Sequence, residues 1–266
     1  MNTEENLKCR CTVASLCQCH TDISGTMHTN SDLQCQGFVG TDMHLASFKK
    51  LTLESADFTQ ANASNVLFAE TNLRLALFRK SVMTDARILR SDLNLTTFLE
   101  VDLTKTQITD SKFYDANFIL CDISNVDLHE NDLYAVRFHQ SNLSGTKFND
   151  CNMTEADLTK SNFTGAQFVD TNLMMADFTG SNLSNANFTR ALFKEAYLGK
   201  TCLDGADFTD ADFREANLEG VDFSKACIEG ARFHGAKLNK TKFANRDTRA
   251  AVYAQARLSP NEVSYY

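Results

Sequence analysis

The side chains in this chain most able to do chemistry lie near its start. Cys9, Cys11, Cys17 and Cys19, with His20 alongside, put five metal-ligating groups within twelve residues. Four thiolates suit zinc, and a zinc there would fasten a chain terminus. The Cys-x-Cys spacing is not one of the common finger patterns, so free thiols are expected, with metal or lipid attachment as the alternatives. No other constellation assembles. There is no phosphate loop, no zinc-protease helix, and no Ser or Cys set beside a base. The six His are dispersed. The expectation is therefore no enzyme and no cofactor.

Composition narrows the class. The 266 residues carry a net charge of −8, a single Pro and nine Cys. No apolar run approaches the length of a membrane span, and Met1–Arg10 lacks the apolar core of a signal peptide. An odd number of scattered Cys fits reduced thiols better than a disulfide framework. These features predict a soluble, cytoplasmic protein with no membrane contact, and no direct nucleic-acid partner is expected. The Asn-x-Ser/Thr triplets at Asn142, Asn162 and Asn182 read as by-products of a repeat rather than glycosylation sites.

The elements that would position any site are set by a five-residue period. All twenty Phe have numbers ending in 3 or 8. Of the 45 positions in that class from Ile23 to Phe243, only His28 is polar, and no residue is inserted or deleted along the run. Two residues before most centres stands a small or β-branched residue, as at Ala56, Ser91, Cys121 and Ala206. One residue before, Asp or Asn recurs, as at Asp57, Asn72 and Asp157. Period five fits neither a helix at 3.6 nor a strand at 2. Two inward and three outward residues describe a short extended piece followed by a turn, and Asp, Asn, Gly and Ser are the residues such a corner needs. Internal repetition of this kind decides the fold.

The stretches Ala156-Asp-Leu-Thr-Lys160, Ala176-Asp-Phe-Thr-Gly180 and Ala216-Asn-Leu-Glu-Gly220 resemble the unit A-(D/N)-L-x-x of the pentapeptide-repeat family, and the resemblance covers about residues 21–245. It implies an all-β solenoid, a right-handed quadrilateral β-helix with four pentapeptides per coil. The run then makes about eleven coils and, at roughly 4.8 Å per coil, a tower of about 50 Å. Before residue 150, nine of ten Phe have numbers ending in 8, an alternation that requires an even number of faces. Residues 1–20 are expected to cap one end. Residues 246–266 are expected to cap the other, with a short amphipathic helix over Asp247–Leu258. Tyr253, Val263 and Tyr265 make a homodimer through that C-terminal end an expectation.

Twenty-residue coils would stack side chains twenty apart, which permits a surface map. Net charge over 21–240 is −5, −3, −4 and +2 on the faces beginning at 21, 26, 31 and 36. Asp110, Glu130, Asp150 and Asp170 then form an acidic column, interrupted by Arg190 and resumed at Asp210. Like charges about 5 Å apart repel by roughly 1 kcal/mol per pair in water, and Lys147 and Arg190 are placed to relieve this. A solvated edge, a phosphate-like stripe and a docking edge for a basic partner are the open readings. The second feature is apolar: Leu75, Leu95, Leu99, Tyr114, Ile119, Leu120 and Tyr134 occupy outward slots on two neighbouring faces. Met174 and Met175 extend that side. Contiguous exposed apolar surface with aromatic members marks a binding site, unless a cap or tail covers it.

Two function classes follow. The first is a non-catalytic scaffold, a rigid rod that binds a protein partner through the apolar patch. The second follows from the resemblance, since some family members mimic duplex DNA, bind DNA gyrase or topoisomerase IV, and protect them from quinolones or peptide toxins. The acidic column favours that alternative, whereas the dispersal of charge and one net-positive face weigh against it. A third reading, a secreted bacterial effector, has no residue for or against it.

Overall fold

A computed structural model of the chain describes residues 21–29 and 37–244. The proposed caps, the Cys9–Cys19 cluster with His20, and the dimer residues Tyr253, Val263 and Tyr265 lie outside the described residues.

Every regular element among the described residues is a three-residue strand. One parallel sheet runs through β1 (Met27–Thr29), β2 (Ser47–Lys49), β3 (Leu67–Ala69), β5 (Arg87–Leu89) and β7 (Gln107–Thr109). A second runs through β4 (Leu77–Arg79), β6 (Thr97–Leu99), β8 (Asn117–Ile119) and β9 (Arg137–His139). Strands pair at an offset of twenty residues, as in Phe48↔Phe68 and Phe98↔Phe118. Single parallel bridges continue the same twenty-residue register from Asp22↔Asp42 to Asp222↔Lys242. With a turn every five residues, each coil has four sides, and the fold is a four-sided parallel β-solenoid.

The pentapeptide explains the geometry. The last residue of most units has φ near +60°, for example Ser55 at 59° and Asn65 at 56°. That left-handed conformation turns the chain through its corner. The Asp or Asn before each centre folds back onto the turn: Asp57 Oδ1 accepts the Thr59 N–H at 2.9 Å, and Asp177 does the same for Thr179 at 2.8 Å. This side-chain turn explains the preference at that position.

The centres fill the core. Phe58, Phe78, Phe98, Phe118 and Phe138 form one stacked column with successive ring centroids 4.6, 4.9, 4.7 and 4.8 Å apart, close to the spacing of paired strands. Phe148, Phe168, Phe188 and Phe208 form another. His28 occupies the same kind of slot and stacks on Phe48 at 5.0 Å.

Two corners need a further device. After β3, β5, β7, β8 and β9 the turn is wide, and the next amide bonds vertically to a side chain of the following coil. Thr71 N–H donates to Ser91 Oγ at 3.2 Å, Ser91 N–H to Ser111 Oγ at 3.2 Å, and Ser111 N–H to Asn131 Oδ1 at 2.8 Å. On the other corner Cys121, Ser141 and Ser161 donate in turn to Ser141, Ser161 and Ser181. The hydroxyls pass the bond on to backbone carbonyls, as Ser161 Oγ does to Phe138 O at 2.7 Å. Buried backbone groups require such partners. The register slips once, where Gly205 N–H bonds Lys225 O instead of the carbonyl one residue earlier.

Candidate functional site

The apolar outward residues come together on the face that carries β4, β6, β8 and β9. Along one corner, Leu75 N–H bonds Asn94 O, Leu95 N–H bonds Tyr114 O, and Asp115 N–H bonds Tyr134 O. Leu75, Leu95, Tyr114 and Tyr134 therefore follow one another coil by coil. Tyr114 and Tyr134 stack with centroids 5.5 Å apart and planes 4° from parallel. Along the opposite corner Leu99 and Ile119 are register partners, and Leu120 follows. Leu77, Thr97 and Asn117 fill the strip between the two rows.

Exposure within the strip is uneven. Leu75, Tyr114 and Leu120 are about half exposed, at 49%, 47% and 51%. Leu95, Leu99, Ile119 and Tyr134 are half-buried against their neighbours. Leu75, Leu95 and Leu120 also stand in left-handed backbone at φ 58°, 62° and 55°, a conformation better suited to Gly or Asn. At one end Arg137 crosses the face, its guanidinium 3.1 Å from Asn117 Oδ1 and 2.7 Å from Asp115 Oδ1. The Glu155 carboxylate beside the Tyr134 hydroxyl pushes the phenol above its ordinary value. Met175 prolongs the corner at 40% exposure, and Met174 beside it is half-buried.

Other apolar residues reach the surface at the slot that usually holds Asp or Asn. Val82, Leu192 and Tyr197 are exposed there. The signal was visible as breaks in the Asp/Asn column, which sequence reasoning passed over. Leu192 is the register partner of Asp212, whose side chain is buried. Burial opposes ionisation of Asp212, yet Arg214, at 2.7 Å, and Arg232, at 3.2 Å, outweigh it and hold the group below the usual carboxylate range.

The acidic residues occupy one corner in register: Asp110, Glu130, Asp150, Asp170 and Asp210 are all exposed, each with φ between 51° and 59°. The structure divides them. Arg190 clamps Asp170 from the next coil, Nε to Oδ1 at 2.7 Å, and this hydrogen bond lowers the carboxyl's pKa. Lys147 pairs with Asp127 at 3.2 Å and leaves the column alone. Among the described residues no cation pairs with Asp110, Glu130 or Asp150. Further toward the N-terminus the column alternates in sign, Lys50–Glu70–Arg90, paired at 3.7 and 3.2 Å. Among the described residues no group of three or more His, Cys, Asp or Glu converges as a metal site, and no helix is long and apolar enough to cross a membrane.

A four-sided parallel solenoid with one small and one large inward residue per five-residue side defines a repeat protein whose outer faces are free to differ. The chain belongs to the pentapeptide-repeat family: the family profile for a pentapeptide repeat region matches residues 111–188, and that for pentapeptide repeats matches 56–98, 171–210 and 201–239. Comparison with curated protein sequences gives no match. Solved structures of similar fold include QnrB1, a plasmid-mediated fluoroquinolone resistance protein, 14% identical over 90% of this chain and 100% of that one, with a TM-score of 0.43. HetL, a pentapeptide repeat protein involved in heterocyst differentiation regulation in the cyanobacterium Nostoc, is 22% identical over 85% of this chain and 90% of that one, with a TM-score of 0.25. A pentapeptide repeat protein of the Arabidopsis thaliana thylakoid lumen is 21% identical over 51% of this chain and 76% of that one, with a TM-score of 0.23.

Proposed function

We propose that this protein is a non-catalytic interaction scaffold, a cytoplasmic rod that presents the strip Leu75, Leu95, Leu99, Tyr114, Ile119, Leu120 and Tyr134 to a protein partner. The observation that carries this reading is the Tyr114–Tyr134 stack with Leu75 exposed beside it. Large apolar side chains stand there in turn slots where polar residues would be more stable, and local departures of that kind gather at functional sites. Burial of such residues, Tyr above all, supplies most of the energy of a protein interface. The partner is bound directly, without a cofactor, membrane or nucleic acid.

The test is affinity capture with crosslinking, comparing the wild-type chain with Leu99→Ser/Tyr114→Ser/Tyr134→Ser and with Asp110, Glu130, Asp150 and Asp170 all changed to Lys. A partner lost with the first variant and kept with the second supports the strip. A partner that survives both removes it.

A second reading rests on a separate observation, the unpaired run Asp110–Glu130–Asp150. Three carboxylates at coil spacing on a narrow corner offer the charge pattern of a duplex-DNA mimic, which would bind a type II topoisomerase. DNA gyrase supercoiling assayed over a protein concentration series, with and without a quinolone, tests it. Inhibition or drug protection abolished by the Lys variant would make the acidic run the working site; no effect on the enzyme would discard this reading.

A further inference from the structure

We propose that the partner of this strip presents an amphipathic α-helix lying along the solenoid axis, its N-terminus toward Glu155 and Asp157 and its C-terminus toward Arg74 and Arg79. The inference rests on the strip being the binding surface, and it names what the strip binds.

Pitch carries the argument. Successive residues of each row repeat at the coil rise, seen directly in the interior Phe spacing of 4.6 to 4.9 Å. A helix repeats one face every turn, at about 5.4 Å. Side chains at i, i+4, i+7 and i+11 would therefore meet Tyr134, Tyr114, Leu95 and Leu75 one by one. An extended peptide repeats a face only every second residue, at about 6.6 Å, and falls out of step within two coils. Width agrees as well. The rows are separated by a three-residue strand and its flanks, roughly 10 Å, which matches the 10–12 Å of a helix with its side chains. The floor between them is made of small or flexible groups, Leu77, Thr97 and Asn117, over which a helix can settle.

Charge sets the direction. At the Leu75 end, Arg74 and Arg79 have no carboxylate partner among the described residues, while Lys80 is taken up by Glu100 at 3.3 Å. At the far end Glu155 and Asp157 have no cationic partner among the described residues, while Asp115 is taken up by Arg137. Lys160, also without a carboxylate partner among the described residues, stands on the opposite corner of that coil, so the far end is net anionic by one charge while the Leu75 end is cationic. The partial charges of a helix, positive at its N-terminus and negative at its C-terminus, complement that gradient in one orientation only. From Leu75 to Glu155 is four coil steps, about 19 Å, so the bound helix is about thirteen residues long.

The experiment is selection of a displayed random 16-residue peptide library on the full chain, with counter-selection against Leu95→Ser/Leu99→Ser/Tyr114→Ser, whose fold is checked by circular dichroism. Enriched peptides are then titrated by fluorescence anisotropy. The expected result is apolar residues spaced i, i+3 or i+4, and i+7, at least tenfold weaker binding to the variant, and a rise in peptide helicity on binding. Charge reversal with Arg74→Glu/Arg79→Glu should lower affinity about threefold or more for peptides whose C-terminus is anchored there. Enriched peptides that discriminate the variant but contain central Pro or alternate with period two would overturn the helix and leave the strip standing. Recovery of a second copy of the chain as occupant, seen as wild-type dimers that the variant abolishes in sedimentation, would do the same. Equal selection on wild type and variant would overturn both.

Discussion

Tyr114 and Tyr134, twenty residues apart in sequence, lie ring on ring at 5.5 Å on the outside of the solenoid. The spacing exceeds the 4.6–4.9 Å of the Phe58–Phe118 column and lies within the range of the interior stacks, which reach 5.8 Å at Phe223–Phe243. The Glu155 carboxylate of the next coil lies near the Tyr134 hydroxyl. A solvent-facing aromatic pair adds little to the fold, so its two rings are available to a partner.

Tyr134 should titrate above the ordinary tyrosine value of about 10. Ionisation would place a phenolate against the Glu155 carboxylate, so the proton is retained to higher pH. Ring ¹³C shifts followed over a pH series report it, and Glu155→Gln is expected to bring the titration down. An unchanged midpoint in that variant would remove Glu155 as the cause.

Interior and exterior aromatics should differ sharply in their effect on stability. Phe98 is stacked between Phe78 and Phe118 and is almost wholly buried. Phe98→Ala is expected to cost about 3–5 kcal/mol in chemical denaturation. Tyr114→Ser should stay within about 0.5 kcal/mol, as surface changes do.

Ser141 sits at the centre of a vertical relay. Its hydroxyl accepts the Cys121 amide at 3.1 Å and donates to Phe118 O at 3.1 Å. Ser141→Ala should destabilise by about 1–3 kcal/mol, the cost of a buried amide left without a partner. Amide exchange at Cys121 should quicken more than at Val126, whose own turn bond to Ile123 O is untouched.

The thiols should separate by reactivity. Burial pushes Cys121 up to about 11 and Cys151 up to about 12, so both stay protonated and shielded at pH 8. Cys202 and Cys227 are exposed. Iodoacetamide labelling read by peptide mass should modify the latter pair first, because the thiolate is the nucleophile. Early labelling of Cys121 would contradict the packing.

His28 gives the first described coil a pH dependence. Burial against Phe48 disfavours its charged form and lowers its pKa. The neutral ring's contribution is then complete above the unfolded value of about 6.5 and is lost as pH falls through the lower folded value. Amide exchange across the β1–β2 pair should rise on acidification over that range, and His28→Phe should abolish the effect.

The five-residue period alone determined that this chain is a solenoid, which residues face inward, and where the turns fall. That information is local: each unit repeats the same backbone, so an inward slot is inward in every copy, as at Phe58 and Phe98. The acidic column and the apolar side were also legible, since both need only the number of residues per coil. Tertiary structure decided which of those side chains have partners and which are exposed. Lys147 turns to Asp127 and not to the acidic column, Arg137 closes the strip through Asp115, and Tyr134 is half-buried while Tyr114 is not. Val82, Leu192 and Tyr197 join the surface from slots reserved for Asp or Asn. Side-chain pairing of this kind depends on neighbours twenty residues away and on which of them each rotamer reaches, and a periodic pattern specifies the slot without specifying the reach.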